Sequence, residues 1–291
     1  MIDFLKYRPF YTAFSAAIFA VFIGALVYKH QTRGETFVYS VDFTGGTQVV
    51  YGFDKPVASS EVVGILEKEG YHGVVTREFS DKEILVRLKD FSSDAQGLAG
   101  KVKETLESSL GTQVEIKQVD SVGSGVGASF RWKSLQAIVL ALLVMLLYTW
   151  WRFWALSFGL GVLISLLHDA VVILAFFLLF DYEISLYVIG SILVVLGYSI
   201  NDTIVVFSRV RENIKKLSGV SMDKIVNISI NETLRRTLLT SFATTLTVIA
   251  LLMFGGESLR TMSLALLVGF VFGTYSSIYI AAPVMLFFYR K

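Results

Sequence analysis

Long apolar stretches, separated by shorter polar ones, dominate the chain. A helix needs about 20 apolar residues to cross a hydrocarbon core of about 30 Å. Six stretches approach or exceed this length, at residues 10–28, 134–151, 154–179, 184–207, 237–254 and 261–288. The pattern therefore predicts a polytopic α-helical membrane protein with six transmembrane helices. Residues 1–9 precede the first helix, and the other five form a transmembrane region over residues 134–288.

The first apolar stretch resembles a signal peptide because Lys6 and Arg8 precede it. A cleaved signal peptide ends in small residues at a small-x-small site. The sequence Leu26-Val-Tyr-Lys29 offers no such site. We therefore interpret the stretch as an uncleaved signal anchor.

The positive charges of the short loops predict the orientation, since Lys and Arg favour the cytoplasmic side. They fall on one side of the membrane if the chain starts in the cytoplasm: Lys6, Arg8, Arg152, Arg209, Arg211, Lys215, Lys216, Lys224, Arg290 and Lys291. The opposite short loops carry Asp181 and Glu183 in one case and Glu257 and Arg260 in the other. We expect both termini to be cytoplasmic and residues 29–131 to be periplasmic.

The composition excludes several classes of function. Charged residues make up 17% of the chain, against about 25% in soluble domains. Cysteine is absent, which removes disulfides, thiolate metal sites and thiol nucleophiles. The net charge of +2 does not favour a nucleic-acid partner. Three histidines without a His/Glu pair at i,i+4 spacing argue against a metalloprotease of the HExxH type, and we expect no cofactor.

The polar stretch from 29 to 131 has the pattern of a folded α+β domain. Strands are predicted at 47–53, 74–78, 83–88 and 113–119, and helices at 59–69 and from Ser93 to Leu110, with Ser59 or Ser60 as the N-cap of the first helix. This order is that of the βαββαβ ferredoxin-like fold. The glycine-rich run 122–127 that follows is interpreted as a flexible joint. A phosphate cradle is disfavoured because no Lys-Ser/Thr pair directly follows the last glycine of the run.

Three groups of polar residues lie inside apolar stretches, where a charge costs about 2.5 to 3.5 kcal/mol. They are His168-Asp169 in the third stretch, Asn201-Asp202-Thr203 in the fourth and Arg235-Arg236 at the start of the fifth. The fifth stretch also carries a stripe of hydroxyls that includes Thr240, Ser241 and Thr244. These hydroxyls fit either a hydrated path or ordinary interhelical hydrogen bonds, and we favour the structural role for each taken singly.

Depth places two opposite charges at one level. Asp202 lies about 27 Å and Arg236 about 28 Å from the predicted outer ends of their helices, whereas Asp169 lies about 16 Å deep. Asp202 and Arg236 can therefore pair if their helices touch. Asp169 is too far from Asp202 for direct contact, but it is the next ionisable group on a hydrated path if water connects the two. One hypothesis is a static ion pair that fixes helix register. The other, which we favour, is an acid that binds and releases a proton as Arg236 moves.

The cytoplasmic loop, at 208–236, alternates charged and apolar residues with a helical period between Ser208 and Glu232. This pattern is typical of an amphipathic helical hairpin on a membrane or a partner. The glycines at 269 and 273 form a GxxxG step, which indicates close helix packing.

Several strings together resemble the SecD/SecF family of bacterial protein-export membrane proteins, within the resistance-nodulation-division superfamily, and specifically its SecF members. They occur in order along the whole chain: Asp42-Phe-Thr-Gly-Gly-Thr47, Leu196-Gly-Tyr-Ser-Ile-Asn-Asp-Thr-Ile-Val-Val206, Arg209-Val-Arg-Glu-Asn213, Arg236-Thr with Thr240-Ser241, and Gly273-Thr-Tyr-Ser-Ser277. The first string supplies Asp42, Gly45 and Gly46 as a motif of the periplasmic domain. Two positions depart from the family pattern: Ser208 replaces an acid, and Ser124 replaces a proline.

The resemblance implies a function in protein export. The chain would be a translocase subunit in the bacterial cytoplasmic membrane that uses the proton motive force, or a Na⁺ gradient, to promote late steps of preprotein export. Its partners would be a SecD subunit, the SecYEG channel and exported polypeptides. The resemblance places Asp202 and Arg236 on the proton path and matches His168 and Asp169, and no catalysis is implied.

Three alternatives remain open at this point. A small-molecule efflux pump of the same superfamily is generally twice as long and carries two large outer domains. A passive assembly scaffold would use the charge pair only structurally. An intramembrane enzyme is disfavoured because no nucleophile-base pair is visible in the sequence.

Overall fold

The computed structural model describes residues 2–71, 73–89, 92 and 94–289. The chain forms two compact units, residues 1–38 with 136–291 (the membrane unit) and residues 39–135 (the outer unit). The predicted helix start at Ser93 and the terminal charges Arg290 and Lys291 lie outside the described residues.

The secondary structure alternates between the two units along the chain. In order, the elements are α1 Arg8–Arg33, α2 Val41–Thr44, β1 Gly46–Phe53, α3 Ser59–Lys68, β2 Val75–Ser80, β3 Glu83–Leu88, α4 Ala95–Leu110, β4 Val114–Val122, α5 Ser124–Phe153, α6 Leu156–Leu179, α7 Leu186–Lys216, α8 Met222–Phe254, α9 Gly256–Ser276, a π-helical turn Ser277–Ala281 and α10 Ala282–Tyr289.

Six helices among the described residues are long and apolar enough to cross a membrane. Five of them lie within α1, α5, α6, α7 and α8, and the sixth runs from Leu259 to Tyr289 through α9, the π-helical turn and α10. This confirms the fold class predicted from the hydrophobic pattern. α6 is the most deeply enclosed of these helices, which makes it the centre of the membrane unit.

The predicted cytoplasmic loop at 208–236 is largely helical and continuous with its neighbours. α7 continues to Lys216 and α8 begins at Met222, so only residues 217–221 connect them. Polar contacts hold the two extensions together: Asn213 donates to the Ser229 hydroxyl (3.0 Å) and to the Glu232 carboxylate (2.7 Å). The amphipathic period of this segment therefore reflects contact between the two long helices themselves.

The sixth span changes its hydrogen bonding near its end. Pro283 has no N–H to donate to the carbonyl four residues earlier, and the preceding residues, Ser277–Ala281, adopt the wider π-helical turn. Glycine permits close packing around this span. A Cβ at Gly161 would lie 2.7 Å from the Ala281 carbonyl oxygen, and one at Gly269 would lie 2.3 Å from a Val195 methyl group. The GxxxG step therefore serves close helix packing, as the sequence indicated.

The outer unit is a four-stranded antiparallel sheet with the order β2-β3-β1-β4. Together with α3 and α4, this order and the βαββαβ sequence confirm the predicted ferredoxin-like fold. Alternate residues of the strands bury the core together with one face of each helix: Val49, Tyr51, Phe53, Val62, Leu66, Ile84, Val86, Val102 and Leu106. The Tyr51 hydroxyl donates to the Ala99 carbonyl (3.0 Å), and burial raises the pKa of Tyr51.

α3, the helix predicted at 59–69, is not capped as predicted. Neither Ser59 nor Ser60 is its N-cap, because Ala58 occupies that position and its side chain makes no capping bond. Instead the Glu78 carboxylate of β2 accepts a hydrogen bond from the Ser59 backbone N–H (2.8 Å). This bond, with the Ser59 side chain, holds the pKa of Glu78 below its ordinary value against a small opposing effect of desolvation.

Glu78→Gln is expected to remove an acid-dependent contribution to the stability of α3. A carboxylate whose pKa is lower in the folded state stabilises that state above its unfolded pKa, about 4.3. The contribution disappears as the pH falls through the folded pKa. The protection factors of the α3 amides, which correct for the intrinsic pH dependence of exchange, should therefore fall on acidification more in the wild type than in Glu78→Gln. Glu67→Gln, which changes an exposed carboxylate on α3, serves as the control, and an identical acid response in all three proteins would contradict the cap.

The glycine-rich run is also structured, contrary to the predicted flexible joint over 122–127. Val122 ends β4 and Ser124 already begins α5, so only Gly123 lies between regular elements. A Cβ at Gly127 would lie 3.0 Å from the Gly45 backbone nitrogen and 3.1 Å from the Phe43 carbonyl oxygen. Glycine is thus required at 127 for close approach of two backbone segments within the outer unit.

Candidate functional site

Asp202 lies on α7 and is only 4% exposed. Its carboxylate accepts a hydrogen bond from the Ser241 hydroxyl of α8 (3.3 Å). Ser241 in turn accepts one from the Thr274 hydroxyl of α9 (2.7 Å). Three helices therefore meet at one buried carboxylate through a chain of two hydroxyls.

Asp169 lies on α6 and is completely buried. Its carboxylate accepts a 2.6 Å hydrogen bond from the Ser199 hydroxyl of α7, and it also contacts the Ser276 hydroxyl of α9. Ser199 precedes Asp202 by three residues, which is about 4.5 Å of helix rise. The two buried carboxylates are thus joined to successive turns of α7.

Gly273 allows this approach of α6, α7 and α9. A Cβ at this position would lie 3.3 Å from the Ser199 Cβ and 3.7 Å from an Asp169 carboxylate oxygen. The neighbouring hydroxyl of Thr274 donates to Ser241, the partner of Asp202. The Ser276 hydroxyl donates to the Gly273 carbonyl (3.1 Å) and lies near the Asp169 carboxylate. The polar string at 273–277 is therefore the element that contacts both carboxylates.

His168 is 2% exposed, and its Nδ1 lies 3.5 Å from the Asp169 carboxylate. Its ring lies between two aromatic rings, Phe19 of α1 and Tyr275 of α9, with centroid distances of 5.9 Å to each. The buried Nε2 has no hydrogen-bond partner among the described residues. Such an atom is a recognised place for an internal water or for a change of partner.

Arg236 does not touch Asp202. Both residues are described, and no contact of 4 Å or less joins the Arg236 guanidinium to the Asp202 carboxylate. Arg236 is exposed on α8, five residues before Ser241. Five residues correspond to a rotation of about 140° around a helix. The depth calculated from the helix rise does not specify on which side of α8 a residue lies, so it could not predict that Arg236 points away from Asp202.

The remaining predicted path residues lie at the edge of the site. Asn201 and Thr240 are exposed, and Thr244 is half-buried. Thr240 donates to the Arg236 carbonyl (3.0 Å), and Thr244 donates to the Thr240 carbonyl (2.9 Å) and lies 3.3 Å from the Tyr198 hydroxyl. Bonds to their own helix are typical of threonines in a structural role.

Sequence reasoning missed Ser199 and Ser276 as partners of Asp169, and Thr274 as the partner of Ser241. A pattern was available for Ser199, which lies one helical turn before Asp202 on α7. Thr274 and Ser276 belong to a polar string that was noticed, but its direction depends on the packing of α9. Hydroxyls are common in transmembrane helices, and their sequence positions alone do not reveal which carboxylate they contact.

The motif residues Asp42, Gly45 and Gly46 lie in the outer unit and form the turn that leads into β1. Asp42 follows the N-cap Ser40, whose hydroxyl accepts from the Asp42 backbone N–H (3.3 Å). Gly45 and Gly46 have φ angles of 77° and 112°, a region that favours glycine. A Cβ at Gly46 would lie 2.5 Å from the Leu88 carbonyl oxygen, so the second glycine is also required for space.

Arginine side chains hold this turn in place. Arg131 donates to the Phe43 carbonyl (3.1 Å), and Arg87 donates to the Tyr39 carbonyl (2.9 Å) and the Gln48 side chain (3.3 Å). Burial and, to a lesser extent, nearby Arg77 lower the pKa of Arg87 to about 10, while Asp42 opposes the shift. Arg87 remains positively charged at neutral pH, and the motif serves the architecture of the outer unit.

The six apolar helices and the ferredoxin-like unit define a polytopic helical membrane protein with an α+β domain, and two buried carboxylates lie among its helices. The family model of the SecD/SecF C-terminal region of protein export membrane proteins matches residues 101–291, and that of the SecD/SecF GG motif matches residues 36–57. The chain belongs to the SecD/SecF family of protein export membrane proteins.

Relatives of nearly the same length bear the name protein translocase subunit SecF. The chain is 40% identical to that of Desulfurispirillum indicum, over 98% of this chain and 91% of the relative. It is 34% identical to that of Rickettsia rickettsii, over 99% and 92%, and 40% identical to that of Pseudomonas aeruginosa, over 88% and 82%.

The whole chain also matches part of a solved structure. A crystal structure of SecDF, described as a translocon-associated membrane protein from Thermus thermophilus, superposes with a TM-score of 0.87 at 32% identity and covers all of this chain. A SecDF structure in a super-membrane-facing form gives a TM-score of 0.70 at 32% identity. The chain spans 39% of the length of each of these structures.

Proposed function

We propose that this chain is a translocase subunit that uses the proton motive force to promote late steps of protein export. In this proposal it acts in the bacterial cytoplasmic membrane with a SecD-like subunit and a SecYEG channel. The names of its relatives support the export role. The observation that carries the mechanism is Asp202, a buried carboxylate that bonds to the Ser241–Thr274 hydroxyl chain, with no basic side chain within 4 Å among the described residues.

Proton binding at Asp202 reverses a hydrogen bond. The ionised carboxylate only accepts, and here it accepts from Ser241. The protonated carboxyl donates, so the Ser241 hydroxyl turns to accept that bond, and its bond with Thr274 changes as well. Because these residues lie on α7, α8 and α9, one proton alters the contacts of three helices.

Asp169 of α6 provides a second proton-binding group, whose partner Ser199 lies one turn before Asp202 on α7. Its bond from Ser199 is subject to the same reversal on protonation. A proton that enters from the outer side reaches Asp169 first and Asp202 second, according to the depths estimated above. Arg236 acts on Asp202 by approaching it, since a nearby guanidinium favours the ionised carboxylate.

A second membrane subunit is expected on the face of α7 and α8 that carries Arg236. Asn201, Arg236 and Thr247 are exposed in or next to the apolar parts of α7 and α8. Polar and charged side chains are expensive in contact with lipid. A SecD-like partner would cover this face, bring Arg236 into a protein environment and so complete the site.

The proton gradient supplies sufficient energy for a conformational cycle. One charge that crosses 100 mV yields about 2.3 kcal/mol, which biases a two-state equilibrium by a factor of about fifty. In the proposed topology both termini are cytoplasmic. The outer unit lies in the periplasm, where it engages the emerging polypeptide.

The test is late-stage export in proteoliposomes that contain the chain, its co-purified membrane partners and the channel. A protonophore is expected to slow completion of export, by up to about fiftyfold for a 100 mV gradient. A Na⁺ ionophore at the same membrane potential should have no effect. The reverse result would assign the coupling to Na⁺ and contradict proton coupling. Equal rates with and without either gradient would contradict the proposed function altogether.

A further inference from the structure

α1 is attached to the rest of the membrane unit by a few specific contacts. Lys29 is the only buried residue between Arg8 and Arg33, all of which the structure describes. Phe10, Ile23 and Tyr28 are more than half exposed. α1 is also the helix whose end leads to Tyr39, where the outer unit begins. These few contacts therefore determine how a structural change in the membrane unit reaches the segment that joins α1 to Tyr39.

The first group of contacts, the inner grip, is formed by Ser15, Phe19, His168 and Tyr275. The Tyr275 hydroxyl donates to the Tyr11 carbonyl (2.9 Å) and lies 3.1 Å from the Ser15 hydroxyl. The Phe19 ring faces the His168 ring on the side opposite Tyr275. Because His168 also contacts the Asp169 carboxylate, the inner grip connects α1 to a buried proton-binding group.

The second group, the outer grip, is formed by Lys29, Arg33 and Asp181. The Lys29 ammonium donates to the Leu178 carbonyl, at the C-terminal end of α6, and to the Asp181 carboxylate (2.6 Å). Arg33 donates to the same carboxylate (2.9 Å). Slight burial raises the pKa of Asp181, but the hydrogen bonds and charges of Lys29 and Arg33 outweigh this effect and hold the pKa below its ordinary value.

The sixth span connects the inner grip to both carboxylates. Three consecutive residues of α9 contact three different neighbours: Thr274 donates to Ser241, Tyr275 bonds to α1, and Ser276 contacts Asp169. The π-helical turn begins at the next residue, Ser277. Such turns are frequent at functional sites. A change of hydrogen bonding at either carboxylate therefore acts on the segment that holds α1.

We propose that α1 transmits the protonation state of Asp169 to the outer unit, with His168 and Tyr275 as the positioning residues. This inference rests on the proposed function and deepens it. Protonation of Asp169 changes its contact with the Nδ1 atom of His168. The Nε2 atom of His168 has no hydrogen-bond partner among the described residues, so no second hydrogen bond holds the ring in place. The His168 ring then shifts between Phe19 and Tyr275. The outer grip attaches α1 to the end of α6. The displacement of α1 therefore reaches residues 34–38, which lie between this attachment and the outer unit.

The test separates proton flux from export in the reconstituted complex. Tyr275→Phe keeps the ring and removes the two hydrogen bonds to α1, and Ser15→Ala removes one of them from the other side. Tyr28→Phe, which changes an exposed tyrosine on the same helix, is the matched control. Proton flux is measured with a pH-sensitive dye inside the vesicles, and completion of export is measured in the same preparation.

We expect Tyr275→Phe to retain proton flux within about twofold and to lose export about tenfold, a typical size for a coupling between sites. Ser15→Ala should shift both measurements in the same directions, and Tyr28→Phe should match the wild type in both. Unchanged export in Tyr275→Phe and Ser15→Ala would overturn the inference, as would a parallel loss of flux and export. A wild type whose export ignores the gradient would instead refute the proposed function.

The outer grip provides an independent check. Lys29→Met keeps the aliphatic chain but removes the ammonium that bonds to Leu178 and Asp181. The inference predicts the same uncoupling, with retained flux and impaired export, although Lys29 lies far along α1 from the carboxylates. Wild-type export in Lys29→Met would overturn the role of the outer grip.

Discussion

Asp202→Asn is expected to abolish gradient-dependent export, so that late-stage export falls to the rate measured without a gradient, a loss of up to about fiftyfold at 100 mV. Asparagine has nearly the same shape as aspartate, and its amide oxygen still accepts the hydrogen bond from Ser241. It cannot bind a proton between pH 5 and 8. The helix contacts at Asp202 are therefore preserved while the titration is lost, and the rate of late-stage export in proteoliposomes measures the difference.

Asp223→Asn is the control for this experiment. Asp223 lies in the first turn of α8, where its partly exposed carboxylate pairs with Arg8 at 3.5 Å. This variant should export at about the wild-type rate. Wild-type export by Asp202→Asn would rule out Asp202 as the coupling group. The exchanged pair, Asp202→Arg with Arg236→Asp, addresses the scaffold alternative: a static ion pair predicts full recovery, whereas we expect none, because Arg236 and Asp202 are not in contact.

Gly46→Ala is expected to destabilise the outer unit by about 3 kcal/mol or more, the sum of backbone strain and overpacking. Its φ of 112° is unfavourable for alanine, and the added Cβ would meet the Leu88 carbonyl oxygen at 2.5 Å. That oxygen belongs to β3, the neighbour of β1 in the sheet, so relief requires the two strands to separate. Amide hydrogen exchange in β1 and β3 of the full chain is the suitable measurement, since a chain with two units need not unfold in one step.

Gly70→Ala separates the two causes. Gly70 also has a positive φ, 91°, but a Cβ there would meet nothing within 4 Å. This variant should show only the backbone strain, about 1 to 2 kcal/mol. Equal effects at Gly46 and Gly70 would mean that the close approach to Leu88 contributes nothing. In that case the second glycine of the motif would be required for its backbone angle alone.

Patterns with a fixed period or length were sufficient to predict the architecture. The six spans follow from apolar stretches of membrane length, and the order of the outer unit follows from alternating strands between two helical segments. Contacts between residues distant in sequence were not predictable in this way. The cap of α3 comes from Glu78, 19 residues after Ser59, whereas the sequence rule considers only residues next to the helix start.

The candidate site was predicted in part. Intramembrane charge identified Asp202, Asp169 and His168, all of which are buried. Depth alone placed Arg236 beside Asp202, but rotation around α8 turns Arg236 outward and presents Ser241 instead. This rotation depends on which side of α8 packs against α7 and α9, and hydrophobicity gives little information when most sides of a helix are apolar.

The π-helical turn at Ser277–Ala281 accommodates one extra residue in the sixth span. A π-helical turn holds one more residue than an α-helical turn, so the helical segments on its two sides keep the relative orientation of an α-helix that is one residue shorter. If the same residues adopted α-helical bonding throughout, Thr274, Tyr275 and Ser276 would rotate by about 100° relative to α10 and face different neighbours. A relative with a gap of one residue here is therefore expected to have a regular α-helix at this point and to keep the same contacts.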